Sequence, residues 1–430
     1  MPPANKYKLP SWMATTLAAL SAFCVYTCMY AFRKPFTVAE FAGLHFWGVD
    51  YKIWLVIAQT VGYTLSKFFG IKFIAELNNR NRMLIILKFI GISWIALLLF
   101  AIVPPPYNII FLLINGFPLG IIYGPVFSYL EGRRTTEFLG AALSSSFIFA
   151  SGFTQSAGKF LLVKWNVDQW WMPWVTGLVF FIPLILFCWL LEKTPKPTTD
   201  DVLMRTERRP MNRKERFEFI KTFFPGLFML LIVYVMLTII RDYRSNFAAN
   251  IWKETGRGNS ISLFTKTEIP SSVLVLVLMS LLVYVKKNIR ALQINHILII
   301  IGFALSLGGT ILFMYNRLSA FGWMTITGVG LYMGYVPFNC MLFERLIASF
   351  RYVSTAGFMI YVADSFGYLG SDVVLLVKNF SGPSISYADF FVKMILGISA
   401  LGTCLTILSS IYFKRKYQKY FDVSSNLSYA

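Results

Sequence analysis

The amino-acid sequence predicts an all-α integral membrane protein with about twelve transmembrane helices in two pseudo-symmetric six-helix bundles. Three observations carry this expectation. Of 430 residues, 57% are hydrophobic and only 14% charged, with mean hydropathy +0.61, where a soluble domain carries about 25% charged residues. Apolar stretches of the roughly 20 residues needed to cross a bilayer recur along the whole chain. Features of the first half reappear in order in the second, as in a duplicated bundle.

The first predicted span, 12–32, runs directly into Arg33-Lys34. The second, 53–73, places Lys67 on one helical stripe with Gln59, Thr60 and Tyr63. After the apolar span 83–103 comes 107–130, in which Gly116, Gly120 and Gly124 recur every four residues, followed by Pro125, Phe127 and Glu131-Gly-Arg133. Glycines at this spacing permit close helix contact. Span 138–163 contains Ala150-Ser-Gly-Phe153 and Gly158, and 171–191 completes the half. Residues 193–221 are polar, proline-containing and mixed in charge, and read as a cytoplasmic linker between bundles 1–192 and 222–430. In the second half, span 222–246 carries Arg241, 262–285 carries Lys266 and Glu268, and 294–315 is apolar. Span 320–343 repeats the glycine spacing with Gly330 and Gly334, then Pro337, Phe338 and Glu344-Arg345. Span 353–377 holds Ala363-Asp-Ser-Phe366 and Gly370, echoing the fifth, and 390–413 is the last.

A formal net charge of +20 would point a soluble protein toward nucleic acid, but here the cations collect in alternate loops. The richer set comprises Lys6 and Lys8, Lys72 to Arg82, Arg133-Arg134, 193–221, Lys286 to Arg290, Arg345 and Arg351, and Lys414 to Lys419. The positive-inside rule then puts both termini and the linker in the cytoplasm, with the chain in the plasma (inner) membrane. Expected partners are membrane lipid and a small anionic solute, not nucleic acid, and a monomer is expected. Cys24, Cys28, Cys188, Cys340 and Cys404 all fall within spans and read as small packing residues. His45 and His296 are scattered, so no metal or other cofactor is expected. The first apolar run is followed by cations instead of a cleavage site, which argues against a cleavable signal. Composition excludes a soluble enzyme, and no nucleophile–base or metal pattern points to a membrane enzyme.

Arg33 and Arg241 occupy corresponding points in the first helix of each half. Each has two readings, a headgroup anchor or a ligand facing a membrane-embedded cavity. The positive-inside rule disfavours anchors on this side. If the first helix continues past Phe32, Tyr26 and Tyr30 share the face of Arg33. Lys67 lies near mid-span, where an ionised residue costs roughly 2.5–3.5 kcal/mol and normally meets a cavity or a partner; the alternative is that it snorkels. Lys159 and Lys266 are lesser candidates. Among the acids, Asp364, Glu268 and Asp372 are the coupling candidates, able to neutralise an arginine in the empty protein or to carry a proton. Asp242 is adjacent to Arg241 in sequence and is expected to point elsewhere on the helix.

Tyr26-x3-Tyr30-x2-Arg33-Lys34-x-Phe36, Gly62-Tyr-Thr-Leu-Ser-Lys67-Phe68, and Arg241 with Phe247 and Lys253-Glu254 resemble patterns of the organophosphate:phosphate antiporters of the major facilitator superfamily. The resemblance implies the major facilitator fold and exchange of a phosphorylated organic solute for inorganic phosphate by alternating access. It implies that Arg33 and Arg241 share one phosphate and that Lys67 lines the cavity. Gln155 stands where the family has a histidine, and Thr238 where it has a tyrosine, with Tyr234 one turn earlier. Tyr26, Tyr30, Tyr234 and Gln155 are expected to shape the pocket around the organic part of the solute. Two other functions stay open: a proton-coupled transporter of another solute, and a non-transporting membrane receptor on the same scaffold.

Overall fold

The computed structural model describes residues 11–75, 81–130, 136–195, 213–350, 356–380 and 385–427. The N-terminal half contains α1 (Ser11–Tyr30), α2 (Tyr51–Ala75), α3 (Arg82–Ile102), α4 (Ile109–Ile121), α5 (Tyr123–Phe127), α6 (Thr136–Lys164) and α7 (Met172–Glu192). The C-terminal half contains α8 (Arg213–Asn246), α9 (Ala248–Glu254), α10 (Leu263–Leu282), α11 (Asn288–Met314), α12 (Ala320–Cys340), α13 (Leu342–Ser349), α14 (Ala356–Phe380) and α15 (Tyr387–Leu427). Between α1 and α2 a short antiparallel hairpin, β1 (His45–Phe46) and β2 (Val49–Asp50), pairs His45 with Asp50 and Phe46 with Val49.

Among the described residues nine helical segments are long and apolar enough to cross a membrane, or ten when α12 and α13, bent by 50° at their junction, count as one. The remaining two of the expected twelve, α2 and α6, are 25 and 29 residues long. Length suffices for both; what they lack is uniform apolarity, because each buries a polar face. On α2 that face is Gln59, Thr60, Ser66 and Lys67, and on α6 it is Ser144, Ser145, Ser146, Ser151 and Gln155. Both helices pack across the boundary between the halves, α2 on α14 and α6 on α10.

The spacing of small residues sets the helix contacts. A Cβ at Gly116 would lie 2.2 Å from the Gln59 carbonyl oxygen, so α4 and α2 touch backbone to backbone. In the other half, a Cβ at Gly330 would lie 2.3 Å from the Gly302 carbonyl oxygen of α11. The echoed glycines thus do in each half what their period permits.

Several boundaries differ from expectation. Helix α1 stops at Tyr30, two residues short of the expected end at Phe32, and Arg33 lies on a turn that leads into a 3-10 helix at Pro35–Val38. The last bond of the helical ladder is Lys34 N–H to the Tyr30 carbonyl; Pro35 has no N–H for the Ala31 carbonyl, which ends the helix here. The fourth predicted span breaks at Ile122, since Pro125 has no N–H for the Ile121 carbonyl. Helix α8 starts at Arg213, and α15 runs on to Leu427, well past the expected end of its span. The stretch 196–212, Glu131, Arg133 and Arg351 lie outside the described residues.

Candidate functional site

The Phe32–Arg33 turn is held by two amide side chains. Gln59 on α2 donates to the Arg33 carbonyl at 3.0 Å, and Asn115 on α4 donates to the Phe32 carbonyl at 3.0 Å. Gln59 also donates to Asn115 at 2.7 Å. This fixes the Arg33 side chain against the Tyr63 ring, 3.9 Å from its centroid, with Tyr30 on its other flank at 5.6 Å. Arg33 is 7% exposed, its Nε has no hydrogen-bond partner, and no acceptor or carboxylate contacts its guanidinium among the described residues.

Arg241 answers it from α8. Its guanidinium lies 4.6 Å from the Tyr335 ring centroid and 5.0 Å from that of Tyr368. Tyr368 packs on Tyr63 edge to face, with centroids 5.0 Å apart. The two arginines are therefore linked through two tyrosines packed edge to face, one from each half. Arg241 also donates to Asp242, Nε to Oδ1 at 2.9 Å, and to the Tyr335 hydroxyl. The expectation that Asp242 points elsewhere is overturned: Arg241 folds back along its own helix to reach the neighbouring carboxylate.

Lys67 crosses the boundary. Its Nζ lies 3.1 Å from Asp364 on α14, and both side chains are at most 10% exposed. Tyr234 donates to the same carboxylate and lies 2.9 Å from the Tyr335 hydroxyl. A continuous polar path thus runs Lys67, Asp364, Tyr234, Tyr335, Arg241, Asp242. Tyr26 packs against Tyr30, Phe147 and Tyr123 on the N-terminal side. Thr238 returns its hydroxyl to the Tyr234 carbonyl at 2.8 Å and packs against Gly367.

Gln155 serves elsewhere. It donates to the Ser245 carbonyl at 2.6 Å and to the Thr37 hydroxyl at 2.8 Å, joining α6 to α8. Around it lies a seal across the two halves at the end where α1 finishes. Lys34 donates to Asn246 at 2.7 Å, Lys52 to Asn250 at 2.6 Å, and Tyr387 to Asp50 at 2.9 Å, while Lys253 pairs with Glu40 at 2.6 Å. A cavity of about 180 Å³ sits within this seal between the hairpin loop and α9. Glu268 is paired with Arg244 inside the C-terminal half, where Arg244 also donates to the Met324 carbonyl at 2.9 Å. Asp372 is buried with Oδ1 unpartnered and no cation in contact among the described residues.

Sequence reasoning missed Arg244, Tyr335 and Tyr368. Two of these had a usable signal: Arg244 follows Arg241 by three residues, and Tyr368 follows Asp364 by four, so each shares a helix face with a residue already singled out.

No curated protein matches the sequence. Among solved structures, the crystal structure of a D-xylose-proton symporter superposes with TM-score 0.58 at 14% identity, covering 93% of this chain and 97% of that one. A mutant of the nucleoside transporter NupG superposes with TM-score 0.60 at 13% identity, covering 92% and 98%. At these identities the likeness establishes the fold, which is the major facilitator fold of a multi-pass integral membrane protein. A family model described as a family of unknown function, DUF5690, matches residues 35–416. The chain therefore belongs to the DUF5690 family.

Proposed function

We propose that this protein is a secondary active transporter of a small organic anion, held between Arg33 and Arg241 and moved by alternating access. The observation that carries this reading is Arg33, a buried guanidinium with no acceptor among the described residues, next to Lys34, whose partner is the neutral Asn246. Buried cations without counter-charge are unfavourable, and an anion supplies what this pair lacks. A guanidinium fork matches two oxygens of a phosphate or carboxylate at once and does not lose its charge by titration. At an effective dielectric of about 20, each arginine gains about 4 kcal/mol against a unit charge at 4 Å.

The resemblance to organophosphate:phosphate antiporters gives the finer proposal, a phosphorylated solute exchanged for inorganic phosphate. Tyr26, Tyr30, Tyr234 and Thr238 offer hydroxyls to its organic part, and Lys67 is released to it when Asp364 lets go. With both termini cytoplasmic, the seal around Gln155 closes the outer path in this conformation. Solved structures of like fold are named as transporters, which supports transport over a receptor role.

The test is exchange in proteoliposomes loaded with phosphate. Labelled external phosphate is expected to enter without a pH gradient and to be competed by sugar phosphates, glycerol phosphate or phosphonates. Arg33→Lys and Arg241→Lys should each cut exchange severely, and near-normal rates in both would sink the clamp. Asp372, a buried carboxylate without a cation, favours a second reading in which the anion moves with a proton; strict dependence on a pH gradient would select it.

A further inference from the structure

On α2, Gln59, Tyr63 and Lys67 recur every four residues and so share one face. Each meets a different part of the centre. Gln59 donates to the Arg33 carbonyl at 3.0 Å, the Arg33 guanidinium lies over the Tyr63 ring at 3.9 Å, and Lys67 reaches Asp364 at 3.1 Å. On α14, Asp364 and Tyr368 are likewise four residues apart, and the Tyr368 ring meets Tyr63 edge to face, centroids 5.0 Å apart. Lys67–Asp364 and Tyr63–Tyr368 are therefore successive rungs between two helices running in opposite directions, one rung ionic and one aromatic.

The aromatic rung carries an arginine at each end, Arg33 on Tyr63 and Arg241 on Tyr368. A tyrosine face attracts a guanidinium through its ring quadrupole and spends none of the N–H donors that a carboxylate or phosphate would take. Arg244 shows the contrast: it is paired with Glu268 and also donates to the Met324 carbonyl, so its fork is in use.

We infer that Tyr63 and Tyr368 are positioning residues of the anion site, aiming two guanidiniums from opposite halves while leaving their forks to the anion. This rests on the reading of Arg33 and Arg241 as an anion clamp. Neither ring has to touch the solute. Through the Tyr63–Tyr368 contact, the placement of one arginine constrains that of the other. The two ends are unequal, because Arg241 is also held by Asp242 at 2.9 Å and by Tyr335. Arg33 has only a second ring, Tyr30, at 5.6 Å, and so depends more on its tyrosine.

Phosphate and sulfate titrations of the purified full chain test this, with Phe and then its mono-, di- and trifluoro derivatives placed at position 63 by nonsense suppression. Fluorine drains electron density from the ring face with little change of size, so affinity that follows it reports the cation–ring contact and not packing. Tyr63→Phe keeps the face and should retain affinity within about twofold, each fluorine should then weaken binding further, and Tyr63→Leu should lose about tenfold. Tyr368→Leu should lose less, about threefold, and the two Leu substitutions together should cost less than the product of the single effects. Affinity that rises with fluorination would make the ring a competitor of the anion; affinity indifferent to it would make the ring packing alone. A large loss in Tyr63→Phe would make the hydroxyl a direct ligand. Each of these outcomes overturns the positioning role and leaves the clamp standing. If neither anion binds the wild type, the clamp itself falls, and this inference with it.

Discussion

Among the described residues, the N-terminal half buries Arg33, Lys34, Lys52 and Lys67, all cations, while the C-terminal half buries Asp242, Glu268, Asp364 and Asp372 alongside Arg244. The scaffold is duplicated but its buried charge is not. Facing halves of opposite sign attract across the centre without any ligand, and Lys67–Asp364 is the contact where this happens. An anion bound to the N-terminal cations competes with those acids. Attraction between the halves and the proposed capture of an anion therefore draw on the same positive groups.

The comparison breaks most completely at Arg33. With glutamine there, the N-terminal half loses its cation without an acceptor, and solute counterflow is expected to fall by at least about 100-fold, with little recovery in the lysine variant. Next is the cross-half pair. Lys67→Met leaves Asp364 buried and uncompensated, and thermal unfolding should register a loss of about 3–5 kcal/mol. Adding Asp364→Asn should restore most of it; no restoration would mean the pair is not what joins the halves. A smaller effect separates contacts within a half from contacts between halves. A Cβ at Gly152 would lie 2.2 Å from the Phe264 carbonyl oxygen across the boundary, whereas Gly116 meets Gln59 inside the N-terminal half. Both alanine variants should lose about 1–3 kcal/mol. Only Gly152→Ala should also change cross-linking yield between α6 and α10. The smallest change is expected from Glu40→Gln at the half-exposed Lys253 pair, within about 1 kcal/mol and vanishing at high salt.

The expectation of twelve helices was legible because it rests on local periodicity, and Arg33, Lys67 and Arg241 stood out by the position of a charge within or against an apolar run; that they serve one site was implied only by the family resemblance. Partners were not legible. Lys67 and Asp364, or Gln155 and Ser245, are brought together only by the docking of two bundles, and no pattern within either segment encodes that. Gln155 looked like a pocket residue because its position matched a family motif, yet its amide fits a free carbonyl and a threonine hydroxyl in the seal. Asp242 was misplaced for a different reason: adjacent side chains diverge on a helix, but a long arginine can bend back.

Helix α15 has 41 residues, a length of about 60 Å at 1.5 Å per residue, roughly twice the thickness of the bilayer's hydrocarbon core. Its far portion carries Lys414, Arg415, Lys416 and Lys419, and Lys416 donates to the Thr222 carbonyl, so it leaves the bundle lashed to α8. Such a projecting beam magnifies small rotations. A tilt of about 10° about the membrane centre would carry a tip some 30 Å away through roughly 5 Å. A probe near that tip would report rocking of the C-terminal half from a distance, leaving every arginine and tyrosine of the centre untouched.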